Sequence, residues 1–178
     1  MNQDIVFEAF LDKQFEEGMA LARQSDILKL APLPGGRACR YVAHFDGGKG
    51  LVVQRDGQIT EFDQFIFGIC FPEDYLRHVE IPNVLTYLGP HPSPFHPNIR
   101  PPFVCMHLVP GTSLVNILYA CYELWTWHLF ATSDEGLNHP ASQWSRQQDR
   151  KRFPIDRRPL KRREGQSKNN SPTSVKII

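Results

Sequence analysis

Six prolines fall between Pro90 and Pro102, in the run Pro-His-Pro-Ser-Pro-Phe-His-Pro-Asn-Ile-Arg-Pro-Pro. Each lacks a backbone donor and fixes φ, so this stretch is neither helix nor central strand. It reads as a stiff, irregular surface loop, and such a loop costs little entropy to order because it was never very free. His96 and Asn98 lie inside it, and Cys105 follows on the short apolar segment Phe103–Leu108. A rigid loop that offers an imidazole and an amide near a thiol is a candidate reactive centre.

The flanking chain alternates in character. Residues 4–23 carry Phe7, Leu11, Phe15, Met19 and Ala22 at helical spacing, widened by Val6 and Phe10, with Glu8, Asp12, Glu16 and Glu17 on the other side. That is an amphipathic helix, which Asn2 or Asp4 could cap. Pro32, Pro34, Gly35 and Gly36 end it and open a loop. Arg40–Phe45, Leu51–Arg55, Gln58–Phe62, Phe65–Phe71 and Val84–Leu88 read as strands. Asp46-Gly47-Gly48 separates the first two, and Asp56-Gly57 marks a hairpin, since such turns need positive φ. The expectation is an α+β fold with an antiparallel meander of about four strands.

Beyond the proline loop, Leu114, Ile117, Leu118, Cys121, Leu124, Trp125 and His128 recur at helical spacing within Ser113–Leu129. A helix apolar on nearly every side should be central and buried. Asn116, Glu123 and His128 interrupt the run, so it is not expected to span a membrane. A short helix follows from Pro140 to about Gln148. From Lys151 the chain turns charged and proline-bearing, with disorder expected over about 165–178. Residues Ile155 to Leu160 could still pack as a strap. The expected division is a catalytic domain over 1–150 and a basic tail over 151–178.

At 178 residues the chain has room for a real core in one domain. The start, Met-Asn-Gln-Asp, has no basic or apolar leader character, so no signal peptide is expected. Four cysteines (Cys39, Cys70, Cys105, Cys121) show no CxxC pair, which argues against zinc and against a disulfide framework. A cytoplasmic location with reduced thiols is the expectation, with no cofactor and no metal. Residues 144–178 hold eleven Lys/Arg against three acids, whereas residues 1–143 hold nine against sixteen. An acidic body thus carries a basic tail.

Three motifs together resemble the ubiquitin-conjugating enzymes. Phe95-His96-Pro97-Asn98-Ile99 followed by Val104-Cys105 is similar to that family's His-Pro-Asn element and thioester cysteine. Phe71-Pro72-Glu73-Asp74-Tyr75 with Pro82-Asn83-Val84 is similar to its Phe-Pro-x-x-Tyr-Pro element. Leu137-Asn138-His139-Pro140-Ala141 is similar to the Leu-Asn-Pro-x-Ala start of a late helix. The resemblance covers roughly positions 60–145. It implies a ubiquitin-conjugating-enzyme-like fold, with an N-terminal helix, a four-stranded meander, a catalytic loop, a central helix and a short C-terminal helix. It also implies that the chain carries a ubiquitin-like protein as a thioester on Cys105 and passes it to an amine of a protein substrate. A ubiquitin-activating-enzyme-like protein would supply the donor. Two departures point to a divergent branch resembling bacterial or phage-defence conjugation systems. Asn98 and Cys105 are seven apart, one fewer than usual, and the tryptophan-serine-proline element after the cysteine is missing.

The roles follow from the chemistry. A thiol is both a nucleophile and a tolerable leaving group. It needs little activation when the incoming donor is already an energy-rich thioester held close by. Asn98 either donates to the developing oxyanion or pins the loop. His96 is expected to hold the loop backbone by a hydrogen bond. The resemblance gives the task of helping to deprotonate the acceptor amine to Asp134 or Glu135. Two rival readings use the same residues. One is a non-catalytic binding module of the same fold. The other is a cysteine hydrolase, with His96, His107 or His128 as base to Cys105. The run Arg157-Arg158-Pro159-Leu160-Lys161-Arg162-Arg163 has no interleaved aromatics, so no nucleic-acid partner is expected.

Overall fold

A computed structural model of the chain describes residues 4–89, 93–131 and 136–161. Helix α1 (Ile5–Arg23) starts at Asp4, whose side chain accepts from the Phe7 N–H at 3.1 Å. Its buried face is Phe7, Leu11, Gln14, Gly18 and Leu21. This stripe is rotated from the expected one, because Val6 and Phe15 face solvent. The rotation has a physical reason in Gln14. Its Oε1 accepts from the backbone N–H of Leu114 at 2.8 Å, so a polar side chain is drawn inward to satisfy the start of a second helix.

The sheet is antiparallel, in the order β1 (Leu28–Pro32), β2 (Arg40–Val53), β3 (Ile59–Cys70) and β4 (Leu85–Gly89). A two-residue strand β5 (Ser93–Pro94) pairs with the far end of β2. The α+β class and the N-terminal helix agree with the expectation, but the strands divide differently. Arg40–Phe45 and Leu51–Arg55 form one strand with a register shift between Asp46 and Gly50, and Gln58–Phe62 joins Phe65–Phe71. Of the two glycines read as a turn, Gly47 takes φ +96°, while Gly48, and Gly50 beyond it, make room for aromatic rings. A Cβ at Gly48 would meet the Tyr122 ring at 2.6 Å, and one at Gly50 would meet the Trp125 indole. Leu28–Pro32, which precedes the expected loop, is itself an edge strand, with Leu28 and Leu30 buried and Lys29 outside. The Asp56-Gly57 hairpin is present, with Gly57 at φ +84°.

Helix α3 (Leu114–Trp125) packs across β2 and against α1, while a short α2 (Ile81–Val84) leads into β4. Leu114, Ile117, Leu118 and Cys121 of α3 are wholly buried. Phe45, Phe65, Tyr122 and Trp125 stack between helix and sheet, with Phe45 and Phe65 rings 4.5 Å apart. Helix α4 (His139–Arg146) is capped by Asn138, and a 3-10 turn follows at Arg150–Arg152. Residues 153–161 then lie across the body as a strap. Ser25 Oγ donates to the Leu160 carbonyl, Tyr122 OH donates to the Arg158 carbonyl, and Leu160 is buried. No helix among the described residues is long and apolar enough to cross a membrane.

Candidate functional site

Two residues each of β6 (Ile99–Arg100) and β7 (Phe103–Val104) form a small hairpin, with Ile99 opposite Val104 and Arg100 opposite Phe103. Pro101 and Pro102, joined by a cis bond, occupy its turn. One step outward, the same register sets Asn98 opposite Cys105, and the Cys105 N–H donates to the Asn98 carbonyl at 2.8 Å. A separation of seven residues is therefore what this hairpin requires. Tyr87 N–H donates to the Pro102 carbonyl at 2.9 Å, which fastens the hairpin to β4.

Cys105 is solvent-exposed. Val104 before it is buried, while Phe103 and Val109 stand exposed on either side. The Asn98 side chain uses both of its ends: Nδ2 donates to the Cys105 carbonyl at 3.0 Å, and Oδ1 accepts from the Ala131 N–H at 2.7 Å. It thereby ties the thiol's own backbone to the segment that follows α3.

His96 holds the loop from inside. Its Nδ1 accepts from the Asn98 N–H at 3.1 Å, so the ring proton sits on Nε2. The ring is 1 % exposed and lies edge-on to Trp127, with centroids 4.7 Å apart. Burial pushes the His96 pKa down to about 3, and the Leu129 backbone opposes the shift only weakly. Nε2 has no hydrogen bond of good geometry among the described residues. A neutral ring with its lone pair committed to a backbone amide is a strut. His107 is exposed, and His128 Nδ1 lies 2.8 Å from Thr126 Oγ1.

The other two sequence motifs converge on the same loops. Tyr75 OH donates to the Thr112 carbonyl at 2.8 Å, so the Phe71–Tyr75 element supports the chain that leaves Cys105. Asn138 N–H donates to the Pro97 carbonyl at 3.0 Å, which sets the start of α4 against the His96–Asn98 loop. Gly136 sits where a Cβ would meet Pro97 and Ser142, so this approach needs glycine. Asp134 and Glu135, the expected helpers of the acceptor amine, lie outside the described residues. Among the described residues no group of three His, Cys, Asp or Glu could hold a metal ion.

Trp127 carries no motif in the sequence, yet it underlies the site. It adopts φ +65°, which turns the chain sharply after α3 and lays the indole beneath His96. Phe153 stacks on it at 5.0 Å, although 26 residues separate them. An aromatic cluster of Phe95, Trp127, Phe130, Trp144 and Phe153 thus backs the loop that carries Asn98. No protein-family model matches the chain, and no curated protein matches it either.

Proposed function

We propose that the chain is a divergent, bacterial-type ubiquitin-conjugating-like enzyme that carries a ubiquitin-like protein on Cys105 and delivers it to an amine of a protein substrate. The observation that carries the reading is an exposed thiol whose backbone is clamped by Asn98 on both sides of the loop. A carrier needs an accessible sulfur at a fixed place, and it needs that sulfur to leave again. In the first step the Cys105 thiolate attacks the thioester carbonyl of the modifier bound to a ubiquitin-activating-enzyme-like protein. The tetrahedral intermediate expels the donor thiolate, which takes up the proton that Cys105 lost. In the second step an amine attacks the Cys105 thioester, an amide forms, and Cys105 departs as thiolate. The amine's surplus proton passes to solvent or to Asp134 or Glu135, the acids that the family resemblance assigns there. Asn98 serves in this scheme as the pin of the loop.

The test mixes the protein with an activating-enzyme-like protein, the ubiquitin-like modifier and ATP. A heavier species that reductant dissolves is the expected product. Cys105→Ser should give a reductant-resistant ester or no adduct, while Cys121→Ser should leave the thioester intact. An adduct that survives Cys105→Ser and still dissolves in reductant would place the carrier elsewhere and sink the reading.

A further inference from the structure

A concave feature lies beside Trp127. A cleft of about 650 Å³ opens between the segment after α3 and the turn after α4, lined by Trp127, Phe130, Ser145, Arg150, Phe153 and others. That volume falls within the ordinary range for ligand sites, roughly 300–1,000 Å³. Its floor is aromatic, with Trp127 and Phe153 nearly parallel and Phe130 4.9 Å from Phe153. Its rim is cationic. Arg146 and Arg150 line it, and with Lys151 and Arg152 they fall within seven residues whose only acid is Asp149. The Asp149 carboxylate is turned onto the Lys151 N–H, where it caps the 3-10 turn. Among the described residues no acid lines the cleft.

The neighbouring Arg152 is held in place. Arg152 sits 4.8 Å over the Trp144 ring while its guanidinium donates to Gln148 at 2.9 Å. Fixing the turn that carries Arg150 in advance lowers the entropy that a partner's binding would cost. We propose that this cleft binds an acidic peptide segment of a partner protein, with an aromatic or aliphatic side chain seated against Phe130 and Phe153 and flanking carboxylates on Arg146 and Arg150. Nucleic acid answers the charge but not the floor. Stacking platforms for bases present open ring faces, whereas Trp127 is 1 % exposed and Phe130 and Phe153 are half-buried. The inference stands on the cleft alone and does not require thioester chemistry at Cys105.

Fluorescence polarisation with the full chain tests it. The probe is a fluorescein-labelled peptide with a Glu-Glu-Phe-Glu-Glu core. The controls replace Phe with Gly, replace every Glu with Lys, or substitute a twelve-nucleotide single-stranded DNA. The expected result is saturable binding of the first probe alone, weakened at least tenfold in Arg150→Glu with an unchanged circular dichroism spectrum. In spectra of 15N-labelled protein, shifts should gather on Trp127, Phe130 and Phe153. Equal binding of the Gly or Lys peptide, tighter binding of the DNA, indifference to the charge reversal, or no binding of the first probe would each overturn it.

Discussion

The Ala131 N–H donates to Asn98 Oδ1 at 2.7 Å, and this single contact ties the thiol hairpin to the chain leaving α3. Asn98→Ala removes that bond together with the one to the Cys105 carbonyl. Lost hydrogen bonds of this kind cost about 1–3 kcal/mol when a partner is left unsatisfied. Asn98→Asp keeps an acceptor for Ala131 but sets a carboxylate against the Cys105 carbonyl. Native-state hydrogen exchange should therefore show the Ala131 amide exchanging faster in the alanine variant than in the aspartate one. Identical exchange in all three proteins would remove Asn98 from its role as a clamp.

His96 predicts a pH dependence of known sign. Its folded pKa, about 3, lies below the ordinary 6.5 because the charged ring would be buried. Above 6.5 both folded and unfolded states are neutral and nothing changes. Below 6.5 the unfolded chain takes up a proton that the folded chain refuses, so stability falls by up to about 1.4 kcal/mol per pH unit until pH nears 3. His96→Asn keeps an acceptor for the Asn98 N–H and cannot titrate. It should be the less stable protein at pH 7, and urea denaturation should show the gap to wild type closing by about 2 kcal/mol at pH 5. A constant gap would mean that the ring is hydrated.

Gly50 faces the indole of Trp125, whose Nε1 donates to the Gly48 carbonyl at 2.9 Å. Gly50→Ala must push that ring off its acceptor, and overpacking alone costs about 1–3 kcal/mol. Chemical denaturation followed by tryptophan fluorescence should show a loss near the top of that range. Lys49→Ala, between the two glycines, removes only the end of an exposed ion pair with Glu61 and should cost far less.

These glycines also show where sequence reading reaches its limit. Helices α1 and α3 were legible because their apolar spacing recurs over several turns. The Asp56-Gly57 hairpin was legible because its turn needs a backbone that glycine supplies. Gly48 was read with Gly47 as a turn, and Gly47 does take φ +96°, but what selects Gly48 and Gly50 is the bulk of Tyr122 and Trp125, more than seventy residues away. Gln14, buried in α1, lies outside the apolar spacing for a similar reason, since its partner is the Leu114 N–H. At the site, the proline loop was legible, and so was the hydrogen bond by which His96 holds its backbone. That Asn98 would face Cys105 needed the pairing of Ile99 with Val104, and that Trp127 would lie beneath His96 needed Phe153 folded back onto it.

Asp156 anchors the strap. It is 7 % exposed, accepts from the Lys49 N–H at 2.9 Å, and takes the Arg158 guanidinium at 2.7 Å. Burial alone would raise its pKa, but the Arg158 side chain and the Lys49 and Arg158 amides outweigh it and hold the carboxyl below the usual value. Its contribution is therefore complete above pH 4 to 5 and lost as pH falls through the lowered pKa. Asp156→Ala should cost about 2–3 kcal/mol, as for hydrogen bonds to a charged group. It should also raise the exchange rates of the Lys49 and Arg158 amides. If those amides stay protected, the strap is held by Leu160 and not by charge.

Cysteine labelling offers the most direct reading of the thiol. Cys105 is exposed, Cys39 and Cys70 are half-buried, and Cys121 is wholly enclosed in α3. Burial also pushes the Cys70 and Cys121 thiols up, which withholds the thiolate from both. Brief iodoacetamide treatment of the native protein, read by peptide mass spectrometry, should therefore mark Cys105 first. Cys121 can react only through openings populated at about 10⁻³ or less, so its labelling should be slower by a comparable factor. In denaturant all four should react alike. Asn98→Ala should leave Cys105 the fastest of the four, because the clamp fixes the sulfur's position and not its exposure. If Cys121 reacts as fast as Cys105 in the native protein, no single thiol is set apart for a carrier to use.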